Sequence, residues 1–226
     1  MTIESTSLLG LEKQNLRDQA VVALRQAITS GELPPGTHLG EVELSERLGI
    51  SRGTLRDALR ELKQEGLVVL RGRGRLAVRT LAPTEIREVF QVRAALESLA
   101  AELVIESDDV DSELASLRTA LDGMRRVAAS DLPERIESDL DFHRALCVLA
   151  GNATLLASWH ALEGTIRMSV MYNGLDRGIE NMSVERHLEI VEAIESGDAA
   201  AARAAIHDHM RVSAENLTRR GPDDEG

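Results

Sequence analysis

The stretch EVELSERLGISRGTLRDALRELKQEGLVV, residues Glu41–Val69, decides how the chain is read. It spells a short helix, a sharp turn, a second helix carrying arginines, and the start of a strand. Leu44 and Leu48 give the first helix one apolar stripe, Gly49 permits the reversal, Ser51 is a good N-cap, and Leu55, Leu59 and Leu62 give the second helix its inward face. Arg52, Arg56, Arg60 and Lys63 are left on the solvent side. A helix whose leading turn offers Ser51, Arg52, Thr54 and Arg56 is built to enter a DNA major groove. Gly66 stops that helix, Leu67 to Leu70 reads as a strand, and Arg71-Gly72-Arg73-Gly74-Arg75 is a basic turn before a second strand, Leu76 to Thr80. That hairpin is a wing. Upstream, Leu16 to Ser30 is a third amphipathic helix with Ala20, Leu24, Ala27 and Ile28 inward, ended by Gly31 and Pro34-Pro35-Gly36.

The distribution of charge supports this reading better than its total does. The chain of 226 residues carries a net −12, which taken alone argues against nucleic acid. Residues 1 to 80, however, hold 12 basic and 10 acidic side chains, a balance of +2, and the remainder holds 14 and 28, a balance of −14. Within residues 47 to 79 there are nine basic and three acidic groups, a local +6 on the recognition helix and wing. An acidic body therefore carries one basic face. No apolar run approaches the roughly 18 residues of a membrane span, and the N-terminus has no signal-peptide pattern. The single cysteine, Cys147, excludes an internal disulfide and reads as a small core residue in a reducing, cytoplasmic setting.

After Arg79 the composition changes. Thr80-Leu81-Ala82-Pro83-Thr84 reads as a linker, and the rest of the chain reads as helical, at about 84–106, 111–129, 133–150, 153–173, 183–196 and 198–218. The expected fold class is mainly α: an N-terminal winged helix-turn-helix with a small β-hairpin, then an all-α bundle. The expected layout is a disordered start at 1–13, the DNA-binding head at 14–80, a linker at 81–84, a helical metal- and effector-binding domain at 85–219, and a disordered tail at 220–226.

Four residues in the helical half occupy positions where a 3.6-residue period calls for hydrophobes. Asp139 and His143 lie one turn apart on the face that holds Ile136, Leu140, Cys147 and Ala150. His187 falls in line with Val184, Val191 and Ile194, and His209 lies among Ala202, Ala205, Ile206, Val212 and Ser213. His207, in line with Arg203 and Arg211, belongs to the solvent side. Burying a carboxylate and three imidazoles without compensation is costly, and a divalent cation satisfies all four. Three neutral imidazoles and a carboxylate suit Zn²⁺ first, with Ni²⁺ and Mn²⁺ as alternatives.

These features together resemble the GntR family of bacterial transcription regulators in the N-terminal part and, in the C-terminal part, the helical FCD effector domain of its FadR subfamily. The motifs that carry the likeness are Ile50-Ser51-Arg52-Gly53-Thr54-Leu55-Arg56-Asp57-Ala58-Leu59, Glu65-Gly66-Leu67-Val68, Val92-Arg93-Ala94-Ala95-Leu96-Glu97, Asp139-Leu140-Asp141-Phe142-His143-Arg144-Ala145-Leu146, Gly151-Asn152, and Gly197-Asp198 ahead of His209-Met210. The resemblance implies a homodimer that reads a palindromic operator on double-stranded DNA, with the wing tip in the minor groove. It implies DNA contacts from Ser51, Arg52, Thr54 and Arg56, and metal ligation by Asp139, His143, His187 and His209, the quartet that periodicity also selects. The chain departs from the family's pattern at Gly53-Thr54, where Thr-Pro is commoner, and in the three-arginine wing.

Arg52 and Arg56 are the candidates for guanine-edge contacts, while Arg60, Arg71, Arg73, Gly74 and Arg75 form the surrounding phosphate and wing contacts. The expected effector is a small carboxylate filling open metal positions, with Arg93, Asn152 and Arg167 as its further contacts. Arg93 can equally pair with Glu97 one turn away. Trp159, Met168, Met171 and Tyr172 read as core or cavity wall. Two other functions fit parts of the pattern: a metal-free regulator sensing a bulkier acyl ligand, and a helical metalloenzyme. The second lacks an evident inward general base and has no use for a basic winged head.

Overall fold

A computed structural model of the chain describes residues 11–127, 131–172 and 179–219. The structure divides into two units between Thr80 and Leu81. The expected disordered ends fall largely on residues 1–10 and 220–226, outside the described residues.

The first unit contains α1 (Leu11–Thr29), α2 (Glu41–Leu48), α3 (Arg52–Gln64), β1 (Val68–Arg71), a one-turn 3-10 helix (Gly72–Gly74) and β2 (Arg75–Val78). Gly49, at φ +63°, closes α2 in the left-handed conformation that a tight reversal needs, and two residues later the Ser51 hydroxyl accepts from the Thr54 backbone N–H at 3.1 Å to open α3. Leu55, Ala58, Leu59 and Leu62 of α3 are buried, and α1 covers them with Ala20, Val21, Leu24 and Ile28. Arg25 of α1 grips Glu65 through two hydrogen bonds of 3.0 and 2.6 Å, and Arg17 pairs with Glu61. The hairpin is antiparallel, with Val68 opposite Val78 and Arg71 opposite Arg75.

The sheet has one edge that the sequence does not announce. The segment after Pro34-Pro35 joins β2 as a short third edge: Leu39 N donates to Leu76 O at 2.9 Å, and Gly36 N and Val78 N complete the pairing with Val78 O and Thr37 O. The segment is too short to show alternation, so only its turn residues are visible in the sequence.

The second unit is all helical among the described residues: α4 (Pro83–Ile105), α5 (Val110–Arg126), α6 (Leu132–Leu149), α7 (Ala153–Tyr172), α8 (Val184–Glu195) and α9 (Ala199–Thr218), with residues 179–181 also helical. Side chains cap three of these starts. Asp131 accepts from Glu134 N, Asn152 from Leu155 N, and Asp198 from Ala200 N and Ala201 N. Helix α4 is central, packing most extensively on α9 and also on α6 and α7. Buried Ala94, Ala101 and Ala202 take up little space between these helices, which is how a chain with 2% aromatic residues still fills a core. Cys147 is buried there as a free thiol, and burial pushes its ionisation far up. None of the described helices is long and apolar enough to cross a membrane.

Candidate functional site

In the first unit, the exposed face of α3 and the hairpin border a groove of about 440 Å³, with Arg56, Arg60 and Lys63 on one side and Gly74 and Arg75 on the other. The Ser51 and Thr54 hydroxyls lie 2.9 Å apart, both engaged in opening the helix. Arg56 donates from Nε to Glu41 at 2.7 Å and Arg60 from Nη1 to Asp57 at 2.9 Å, while Arg71 bonds Thr80 Oγ1. The arginine pairs are exposed, so solvent screens them and a competing phosphate or base edge can replace the carboxylate at small cost. The Arg52 and Arg75 side chains are exposed and make no hydrogen bond or ion pair among the described residues. Gly74 sits at φ +76° with open space around it, so its backbone conformation and not crowding calls for glycine. The Arg73 side chain lies outside the described ones.

The second unit brings the four periodicity-selected residues together. His143 from α6, His187 from α8 and His209 from α9 are all buried, each with a ring nitrogen within 4.8 Å of the others'. Asp139, one turn before His143, places Oδ1 3.0 Å from His187 Nε2.

The hydrogen bonds around this cluster fix where its lone pairs lie. His143 Nδ1 is 2.7 Å from Glu97 Oε2, and His187 Nδ1 is 2.8 Å from the Ser183 carbonyl. A carboxylate and a carbonyl only accept, so both Nδ1 atoms carry hydrogen and, in the neutral rings, both Nε2 atoms carry lone pairs. Those two Nε2 atoms face each other at 3.2 Å, with the Asp139 oxygen beside them. Three electron pairs therefore converge without a donor. Among the described residues, His209 Nδ1 is buried without a hydrogen-bond partner, as are Arg93 Nη2 and Ser213 Oγ nearby.

Burial lowers the His143 pKa below the ordinary imidazole value despite the opposing Glu97 charge. Burial and the neighbouring His187, His143 and Arg186 push His209 well below it. Neutral imidazoles are the form a metal ion needs. At Asp139, burial works to raise the pKa, but the neighbouring imidazoles and the Arg93 guanidinium outweigh it and keep the carboxyl below its usual range. The donor set, the converging lone pairs and the orphaned nitrogen thus fit a divalent cation.

Glu97 is the functional residue that sequence reasoning underrated. It is fully buried and accepts from His143 Nδ1, from Arg93 Nε at 3.0 Å and from Trp159 Nε1 at 2.9 Å. Burial pushes its pKa up, but the adjoining His143 ring, the Arg93 charge and these hydrogen bonds prevail and bring it to about 2. It orients His143 as outer carboxylates orient metal-binding histidines. The signal was present, since Glu97 falls on the inward stripe with Phe90, Ala94 and Ala101, but its spacing from Arg93 also suits an exposed pair.

Of the expected effector contacts, Arg93 pairs with Glu97 inside the core, 2% exposed, with its guanidinium 5.0 Å from the Phe90 ring centre. It lines a small cavity with Asp139, His209, Asn181 and Ser213. Asn152 instead caps α7, and Arg167 is held by two hydrogen bonds of 2.6 and 2.7 Å to Glu137. Neither lines that cavity. Trp159, Met168 and Met171 are buried, and the Tyr172 side chain lies outside the described ones. A polar network that the sequence did not reveal closes the cavity's far side: Asn181 Nδ2 donates to Ser213 O, Asn216 and Arg186 donate to Asn181 Oδ1, and Arg186 reaches the His209 carbonyl at 2.9 Å.

Comparison with known proteins agrees with both halves of this picture. The family model for bacterial regulatory proteins of the gntR family matches residues 16–78, and that for the FCD domain matches residues 88–212. The chain is 32% identical over 184 residues to a protein of Paenarthrobacter nicotinovorans described as a probable D-xylose utilization operon transcriptional repressor, covering 81% of this chain and 80% of that one. It is 26% identical to the HTH-type transcriptional repressor RspR of Escherichia coli strain K12, over 90% of each. A crystal structure of a GntR transcriptional regulator from Rhodococcus sp. RHA1 superposes with a TM-score of 0.72 at 23% identity, covering 89% of this chain and 96% of that one.

Proposed function

The chain belongs to the GntR family of bacterial regulatory proteins and carries an FCD domain, a winged-helix DNA-binding regulator and not an enzyme, and from that premise we propose that it is an acid-responsive homodimeric repressor. Its operator affinity is set by a small carboxylate that binds beside a divalent metal ion, Zn²⁺ before Ni²⁺ or Mn²⁺. The single observation that carries this reading is the convergence of His143 Nε2, His187 Nε2 and an Asp139 oxygen at 3.0–3.2 Å, with no hydrogen available between neutral rings. A shared proton could relieve one of these contacts, whereas a divalent cation relieves them all and also engages His209.

Asp139, His143, His187 and His209 hold the metal in this reading. The ion supplies a positive centre with positions open to a ligand oxygen. Glu97 fixes the ring of His143, and Arg93, anchored to Glu97 through Nε, keeps Nη2 free for a carboxylate. Arg186 ties α8 to α9 behind His209, so a shift at the ligand cavity is felt by both helices. Ligand occupancy changes DNA binding only by favouring one arrangement of the two heads of the dimer over another.

On the DNA, Arg52 and Arg56 read base edges, Ser51 and Thr54 set the helix on the backbone, and Arg60, Arg71, Arg73 and Arg75 add phosphate attraction around Gly74. Repression, in preference to activation, is supported by two of the relatives, both described as repressors. Metal analysis of gently purified protein tests the proposal: about one divalent ion per chain is expected, lost in His143→Ala. Metal-free wild type whose operator binding ignores added metal and acid would overturn it.

A further inference from the structure

The cavity beside the metal cluster is too small for the ligand it serves. Lined by Phe90, Arg93, Asp139, Asn181, His209 and Ser213, among others, it has about 10 Å³ of room, roughly enough for one water. On the other side of the α4–α9 contact lies an open groove of about 530 Å³, within the roughly 300–1,000 Å³ usual for small-ligand sites. Its floor is Phe90, Ala94, Met210 and Ala214, and Arg87 stands at its rim. Phe90 belongs to both linings. Along α4 and α9 the alternation is regular: Arg93, His209 and Ser213 line the inner cavity, while their neighbours Ala94, Met210 and Ala214 line the groove. One aromatic ring, flanked by two alanines, therefore separates a polar chamber, where Arg93 Nη2 has no partner among the described residues, from an apolar trough.

We propose that Phe90 is a gate between these spaces, and that the effector is a carboxylic acid with an apolar tail, its head held at Arg93 and the metal and its tail lying in the α4–α9 groove. This rests on the metal–carboxylate reading and narrows it, from small acids in general to monocarboxylates with several apolar carbons. The inner chamber admits the head alone, so the remainder of the ligand passes the Phe90 ring. The groove offers that remainder apolar surface.

The test is isothermal titration of the full-length, zinc-loaded protein with acetate, butanoate, hexanoate and octanoate, in wild type and in Ala204→Trp. Ala204 is an exposed helical residue of the groove wall, so the substitution fills the trough without entering the core. Each added methylene is expected to tighten binding about 4-fold until the groove is full, which is ~0.8 kcal/mol converted at ~1.4 kcal/mol per tenfold. Ala204→Trp is expected to weaken octanoate by roughly tenfold or more and leave acetate and zinc content unchanged. Affinity independent of chain length, or octanoate binding indifferent to Ala204→Trp, overturns the proposal while leaving the metal–carboxylate reading intact. If Ala204→Trp alters the oligomeric state by sedimentation and chain-length preference does not change, the groove is a contact between two copies, and the proposal also fails. Binding of none of these acids to zinc-loaded protein overturns both.

Discussion

The two halves of the molecule hold charge in opposite ways. On α3, Arg56 and Arg60 stand in water beside carboxylates that a phosphate can replace, and Arg52 stands alone among the described residues. Around α4, α6, α8 and α9, Arg93, Glu97, Asp139, His143, His187 and His209 are all less than 10% exposed, and Arg93 Nη2 and His209 Nδ1 are left uncommitted among the described residues. Exposed charges cost the fold little and are free to select a partner. Buried charges need partners within the fold, so whatever fills the few uncommitted positions is felt as stability. In the proposed function the head therefore reports on DNA through affinity, and the bundle reports on a metal ion and an acid through its own free energy.

The sharpest way to break that contrast is Arg93→Ala, which leaves Glu97 buried with one fewer counter-charge. A loss of about 3–5 kcal/mol in urea unfolding is expected. A loss no larger than that of an exposed arginine would show that the buried network is dispensable. Metal removal comes next. At a free ion concentration 100-fold above its dissociation constant, zinc is expected to add about 2.7 kcal/mol, lost on chelation and absent from His143→Ala. Thermal melts of both proteins, with and without chelator, check this. Arg56→Ala, on the exposed side, is expected to leave the melting temperature unchanged and cost about 1–3 kcal/mol of discrimination between operator variants. An unchanged preference in competition binding would remove Arg56 from base reading. The smallest effect is that of Arg60→Ala, expected to weaken binding to all sequences alike and reduce the slope of log affinity against log salt by about one.

The same contrast explains what was legible in the sequence. The head was readable because its elements are signalled locally: Gly49, Ser51 and Gly66 mark the ends of α2 and α3, and leucines mark their inner faces. The histidines were readable because a polar residue in an apolar stripe is conspicuous. Glu97 was not, because an acid four residues after an arginine looks the same on the surface as in the core, and only tertiary packing by His143 and Trp159 tells them apart. Arg167 and Asn152 show the converse, since Glu137 on the neighbouring α6 and the α7 backbone satisfy groups that looked available. Asn181 fell in what read as a loop, yet its side chain is buried against α9.

That the buried histidines exist to hold a metal ion is tested most directly by titrating zinc into chelator-treated full-length protein. Tight binding of about one ion per chain is expected, accompanied by a change in the emission of Trp159, the sole tryptophan, which is joined to His143 through Glu97. A flat titration, with the protein folded and its emission unchanged, would contradict the account.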